Sequence, residues 1–188
     1  MILNMVIPPV IQTGRLELIP ATSGILAADC SDRKELGRIL DAIIPAGWPP
    51  ALLDDATLVE FIRMQADNSD PNFCSWYWIL AGPEENSRIL IGSGGTGSCP
   101  GEPDTVMIGY SVLDAFQHRG YATEALQGMI PVIFQYPGIR KIRATTYPNL
   151  ISSIRVLEKT GFMPAGSTFK GTGMEEGSLA FVLCMREK

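Results

Sequence analysis

A single histidine, His118, stands in a chain of 188 residues. That scarcity removes most imidazole-based metal chemistry at the outset. The four cysteines, Cys30, Cys74, Cys99 and Cys184, are widely separated and show no CxxC spacing, so neither a thiolate metal site nor a disulfide framework is indicated. Basic residues are also few. The 15 Lys and Arg against 20 Asp and Glu leave a net charge of −5, which speaks against a general nucleic-acid binder, because neutralising phosphates takes a basic face. The same charge suits a basic partner such as an amine. No apolar run approaches the ~18 residues of a membrane span, and no membrane partner is expected. The apolar start, Met1 to Val10, lacks a basic leading segment, is broken by Pro8-Pro9 and has no small-residue cleavage site before Arg15. It does not read as a signal peptide, and a cytoplasmic protein with reduced thiols is the expectation.

What is present describes an ordinary globule, with 46% hydrophobic and 19% charged residues. Residues 1–188 are expected to form one domain. Thr13 to Leu18 reads as an opening strand. Asp32 and Glu35 form a D-x-x-E cap for a helix with the apolar face Leu36, Ile39, Leu40 and Ile43, ended by Pro45. After a loop at Ala46 to Pro50, Asp54 or Asp55 caps a second helix carrying Leu58, Phe61 and Ile62. Strands follow at Phe73 to Leu80, at Arg88 to Ile91 after a turn at Gly82 to Asn86, and at Val106 to Leu113. A helix, a strand at Lys141 to Thr146, a helix at Ser152 to Thr160 and a last strand at Leu179 to Met185 complete the order. The fold class is α/β (α+β), a mostly antiparallel sheet that turns locally parallel across one helix.

Two glycine-bearing stretches compete for a phosphate-binding role. Gly92-Ser93-Gly94-Gly95-Thr96-Gly97 fits GxGxxG after a strand, yet Ser98-Cys99-Pro100-Gly101-Glu102-Pro103 cannot open a helix, so no helix N-terminus is there to meet a pyrophosphate. It reads as a flexible strand-to-strand connection. Gln117-His118-Arg119-Gly120-Tyr121-Ala122 differs, because a helix follows at once: Ala122, Ala125, Leu126, Met129, Ile130 and Ile133 make one apolar stripe. The first turn of a helix has unpaired N–H groups and partial positive charge, and Gly120 and Ala122 leave the backbone open. Read alone, this stretch is equally an ordinary turn needing Gly120 for backbone freedom. His118 sits inside the loop, which gives its backbone N–H more weight than its imidazole.

The run Val112 to Ala122 resembles the coenzyme-A motif of the GNAT N-acetyltransferase superfamily, Gln/Arg-x-x-Gly-x-Gly/Ala after a strand. Asn149 and Ser152-Ser153-Ile154-Arg155-Val156-Leu157-Glu158-Lys159-Thr160-Gly161-Phe162 resembles that family's next motif, and Thr13-Gly14-Arg15-Leu16-Glu17-Leu18 is similar to the opening strand of its RimJ/RimL-like branch. The resemblance implies a GNAT fold with strands splayed at the acetyl-CoA site. It also implies transfer of an acetyl group to a primary amine, on a protein N-terminus or a small molecule, by direct attack in a ternary complex. Acetyl-CoA is the implied co-substrate, with no metal. The implied CoA contacts come from Ser111, Val112 and Leu113 at the strand end, from Gln117, His118, Arg119, Gly120, Tyr121, Ala122 and Thr123, and from Asn149, Ser152 and Arg155.

The catalytic roles are less evenly filled. Leu157 stands where many members place an acidic Tyr, which leaves Ser152 or Ser153 to protonate or hydrogen-bond the leaving sulfur. Counting from Asn149 selects Ser152; counting back from Gly161 selects Ser153. Both serines and Asn149 are also natural helix caps, whereas Leu157, Gly161 and Phe162 fit a structural C-terminal cap. Met107 precedes Ile108-Gly109-Tyr110 where many relatives carry a Glu base, so Glu175, Glu176 and Asp104 are the carboxylates left to act, through water. Trp48, in its Gly-Pro loop, is the candidate for lining an acceptor pocket, while Trp76, Tyr77 and Trp78 read as aromatic core. A non-catalytic acyl-CoA-binding or sensing module is the rival reading that Met107 keeps open.

Overall fold

The computed structural model describes residues 8–50, 53, 55–67, 70–82, 87–166 and 177–185. The turn expected at 83–86, the Asp54 cap and the candidates Glu175 and Glu176 lie outside these residues. An eight-stranded sheet runs in the order β1-β2-β3-β4-β5-β6-β8-β7. Its strands are β1 (Ile11–Gln12), β2 (Leu16–Pro20), β3 (Cys74–Leu80), β4 (Ile89–Cys99), β5 (Glu102–Val112), β6 (Lys141–Thr146), β7 (Met163–Pro164) and β8 (Leu179–Cys184). Every pairing is antiparallel except β5 with β6, which is parallel. Helices α1 (Ser23–Ser31), α2 (Arg33–Leu40) and α3 (Asp55–Asp67) precede the meander, while α4 (Tyr121–Ile133) and α5 (Ile151–Lys159) alternate with the last strands.

Alternation along β3 divides the core. Trp76 and Trp78 point to the layer under α4 and α5, with Leu18, Ile108, Leu126, Met129 and Phe162, whereas Tyr77 and Ile79 point to the layer under α1 to α3, with Leu26, Leu36, Leu40 and Leu58. The period of two therefore assigns each aromatic to one face, and each fully buried side chain stabilises the fold by roughly 1.5–3 kcal/mol. The apolar stripe of α4 packs as its sequence spacing dictates. Tyr121, Ala125, Leu126, Met129 and Ile133 are buried, with Ala122 and Ile130 half-buried beside them.

Two expectations are corrected, and two elements were not expected at all. Gly92 to Pro103 is not a loose connection, because β4 continues through it to Cys99 and β5 begins at Glu102. A Cβ on Gly94 would lie 2.6 Å from Trp78 Cζ2, and one on Gly95 would lie 2.5 Å from the Cys74 carbonyl; the glycines make room for a neighbouring indole and backbone, which local propensity cannot reveal. The helix begun at Asp32 does have that residue as its cap, accepting from the Lys34 and Glu35 N–H groups. It stops at Leu40, well before Pro45, because left-handed Asp41 turns the chain so that Ile43 bridges to Ile89 at the sheet; Ile39 and Ile43 are exposed. Helix α1, capped by Thr22, went unread because Ile25, Leu26, Ala28 and Asp29 all bury and leave no amphipathic contrast. The two-residue strand β7 also carried too short a pattern to see.

Candidate functional site at the β5 to α4 junction

Strands β5 and β6 are paired only at Thr105, Val106 and Met107 against Lys141, Ile142 and Arg143. Beyond that register they part, while β5 stays paired to β4 through Val112. This is the splay that the family resemblance implied, and among the described residues it leaves the β6-facing backbone of Ile108 to Ser111 without a strand partner, while the Val112 carbonyl is taken by Gln117. At the end of β5, Val112 and Leu113 are buried and Ser111 is half-buried opposite Ser93. A single 3₁₀ turn, Asp114–Phe116, then delivers the chain to Gln117.

The loop that follows is held in a defined shape. Gln117 Nε2 donates to the Val112 carbonyl at 3.0 Å and to Asp114 Oδ1 at 2.9 Å, bracing the loop on the end of its own strand. His118 adopts φ 61° and Gly120 φ 82°, left-handed values that glycine tolerates without cost and a β-branched residue does not. With Gly120 as N-cap and no side-chain cap, the first N–H groups of α4 are left for another acceptor. Residues 117–120 are exposed, Tyr121 is buried and Ala122 and Thr123 are half-buried. The loop presents exposed backbone donors at a helix start, with positive partial charge behind it.

The N-terminal hairpin locks onto the same helix turn. Glu124, in the first turn of α4, accepts from Thr13 Oγ1 at 2.6 Å, from the Arg15 backbone N–H at 2.6 Å and from Arg15 Nε at 2.7 Å. Arg15 also donates to the Arg119 carbonyl at 3.1 Å, and its guanidinium lies 4.5 Å from the centre of the Tyr121 ring. Burial works to raise the Glu124 carboxyl, but the hydrogen bonds from Thr13 and Arg15 outweigh it and hold the group below its ordinary value. Sequence reading did not find this cluster. The signal available was the T-x-R spacing, which the structure puts in the turn between β1 and β2 and not in the opening strand expected from Thr13, together with an acid in the first helix turn.

Across the splay, helix phase separates the two serines. Ser152 is exposed, whereas Ser153 faces β5 and its Oγ lies 3.1 Å from the Tyr110 hydroxyl, which also donates to the Ser153 carbonyl at 3.3 Å. Burial pushes the Tyr110 hydroxyl up, against a smaller opposing effect of the Ser153 hydrogen bond, so it stays protonated at neutral pH. The capping expectation is corrected: the N-cap of α5 is Leu150, with no side-chain cap, so neither serine nor Asn149 closes this helix start. Asn149 and Arg155 are exposed at the same end. At the other end the structural reading holds, since Gly161 at φ 90° and Phe162 donate to the Glu158 and Leu157 carbonyls at 3.1 and 3.0 Å. That is a Schellman cap with Phe162 and Leu157 both buried.

Two other candidates are placed differently. Trp48 is corrected from pocket lining to core, being 2% exposed, with its indole N–H donating to Asp29 Oδ1 at 2.7 Å and its ring 5.7 Å from Tyr77. The loop folds inward because Asp29 offers a buried acceptor, and Tyr77 fills its second oxygen at 2.6 Å. Asp104 is tied to Thr105 and Lys141, and those contacts hold its carboxyl below its ordinary value. A depressed carboxylate is a poor base near neutral pH.

An opened parallel strand pair beside a helix N-terminus, in a mixed α/β sheet, is the arrangement that the resemblance in the sequence implied. The acetyltransferase (GNAT) domain profile matches residues 21–163, and the chain belongs to the GNAT acetyltransferase family. No curated protein matches it. Among solved structures it is similar to Mycobacterium smegmatis RimJ in complex with CoA-disulfide, at 19% identity and TM-score 0.62 over 94% of this chain and 88% of that one. It is also similar to the ribosomal-protein-S5-alanine acetyltransferase from Vibrio fischeri, at 16% identity and TM-score 0.63 over 94% and 96%. A third similarity is to the aminoglycoside acetyltransferase AAC(6')-Ib in complex with coenzyme A, at 18% identity and TM-score 0.59 over 90% and 94%. Among the described residues, no helix is long and apolar enough to cross a membrane.

Proposed function

We propose that this protein is an acetyl-CoA-dependent N-acetyltransferase that moves an acetyl group to a primary amine by direct attack in a ternary complex. The observation that carries the reading is the junction of the β5/β6 splay with the left-handed loop at the start of α4. It offers open strand backbone for pantetheine and helix N–H groups for the diphosphate within one continuous segment. The similar structures named above include enzymes whose own acceptors are a ribosomal-protein alanine and aminoglycosides, which supports an amine here and leaves its size open.

In this reading the amine nitrogen forms the new C–N bond at the thioester carbonyl as the C–S bond breaks, and the amine's proton passes to water. Backbone N–H groups of β5 stabilise the carbonyl oxygen as it gains charge. Ser153 hydrogen-bonds the departing sulfur. The single proton of Tyr110 can go to the Ser153 carbonyl or to its Oγ, and when it goes to Oγ the serine's own hydrogen is free for the thiolate. No carboxylate among the described residues of the splay is poised as a base, which places the weight on positioning and thioester polarisation. A steady-state assay of CoA release with a panel of amines, beginning with N-terminal peptides and followed by aminoglycosides, tests the proposal. Amine-dependent release supports it. Tight acetyl-CoA binding without turnover on any amine would instead identify a binding or sensing module.

A further inference from the structure

We propose that Arg15 is a positioning residue for the diphosphate loop: with Glu124 it forms a charge-neutral clamp that shapes the loop and shields an anionic ligand from the helix's own carboxylate. The inference rests on the CoA-binding reading of that loop. A carboxylate in the first turn of a helix normally complements the dipole, but beside a bound diphosphate it would oppose the ligand. Among the described residues the donors to Glu124 come from the N-terminal hairpin, namely Thr13 Oγ1, the Arg15 N–H and Arg15 Nε.

Glu124 is thereby neutralised where it stands. The guanidinium then continues past it to the loop, reaching the Arg119 carbonyl at 3.1 Å, and a Cβ on Gly120 would lie 3.5 Å from its Nη2. Its side chain remains 46% exposed against 17% for Glu124, so the cation is presented on the loop side and the anion is sequestered beneath it. Drawing the Arg119 carbonyl towards Arg15 orients that peptide plane, and with it the N–H of Gly120 on the same plane. The hairpin has no slack here. A Cβ on Gly128 of α4 would come within 3.0 Å of Thr13 and 3.1 Å of Ile11, so β1 and α4 are in direct contact one turn further on.

The test is calorimetry with acetyl-CoA on Arg15→Met, on Arg15→Met combined with Glu124→Gln, and on Arg15→Lys, each first checked for a cooperative thermal transition. Arg15→Met is expected to weaken binding by about 10-fold at low salt, with the loss shrinking as salt rises. The double variant should recover to within about 3-fold of wild type, since the uncovered carboxylate is gone. Arg15→Lys keeps the charge but not the fork that joins Glu124 to the Arg119 carbonyl over the Tyr121 ring, and should fall between wild type and Arg15→Met. A merely structural hairpin contact predicts the opposite, a double variant at least as weak as Arg15→Met, and that result would overturn the clamp, as would wild-type affinity in Arg15→Met. Gly120→Val separates the two levels. If it abolishes binding while Arg15→Met binds normally, the clamp alone fails; if Gly120→Val itself binds normally, the loop reading fails.

Discussion

Two segments of this chain look alike on paper and do opposite work in the fold. Gly92 to Gly97 lies inside β4, where Gly92, Gly94 and Gly95 are flat against neighbours and none has a positive φ. Gln117 to Tyr121 has one glycine, Gly120, and it is left-handed, exposed and followed at once by α4. In the first segment the missing side chains admit Trp78 and the β3 backbone. In the second, on the proposed reading, the missing side chain leaves room for the diphosphate. Glycine therefore signals close approach in both places, and only the element that follows says what approaches.

The largest effect should come from filling the first segment. Gly94→Val puts a branched side chain where Trp78 Cζ2 would be 2.6 Å away and the Gly109 carbonyl 3.1 Å away. We expect a loss of about 3 kcal/mol, or roughly 6–12 °C in Tm for a domain of this size. Acetyl-CoA affinity in the folded fraction should be unaltered. Weakened binding without a stability change would show that β4 is part of the cofactor site.

Ser153→Ala comes next and sharpens the contrast at the far side of the splay. It should lower kcat by about 100-fold with little change in acetyl-CoA affinity, whereas Ser152→Ala, at an exposed position without a cap role, should leave turnover near normal. Equal effects in the two variants would contradict the assignment made from helix phase. The smallest change is expected in Asp104→Asn. Its folded value is depressed, so any stability it contributes is present above the ordinary carboxylate range and lost as pH falls through the folded value. The kcat/KM profile near neutral pH should therefore be unchanged, and a loss of more than about 1000-fold would reveal a dedicated base.

Most of the second segment's surroundings was legible beforehand because its signals are local. The α4 stripe, the glycine at the helix start, the Gly161-Phe162 cap and the period-two aromatics of β3 each depend on neighbours a few residues away. What was missed depends on distance. Glu124 meets Arg15 across 109 residues, Tyr110 meets Ser153 across 43, and Trp48 turns inward for Asp29, which is buried on a helix without amphipathic contrast. The choice between Ser152 and Ser153 needed helix phase relative to β5, and the linear motif, counted from Asn149 or back from Gly161, pointed both ways.

Calorimetric titration of acetyl-CoA into Gly120→Val, alongside His118→Ala, tests the central claim most directly. A valine at φ 82°, 3.5 Å from the Arg15 guanidinium at its Cβ, both strains the loop and obstructs the helix N–H groups. The account predicts affinity weakened by at least about 100-fold in a protein that still unfolds cooperatively, with His118→Ala binding within about 3-fold of wild type because its backbone N–H, not its imidazole, faces the diphosphate. Wild-type affinity in folded Gly120→Val would contradict the account.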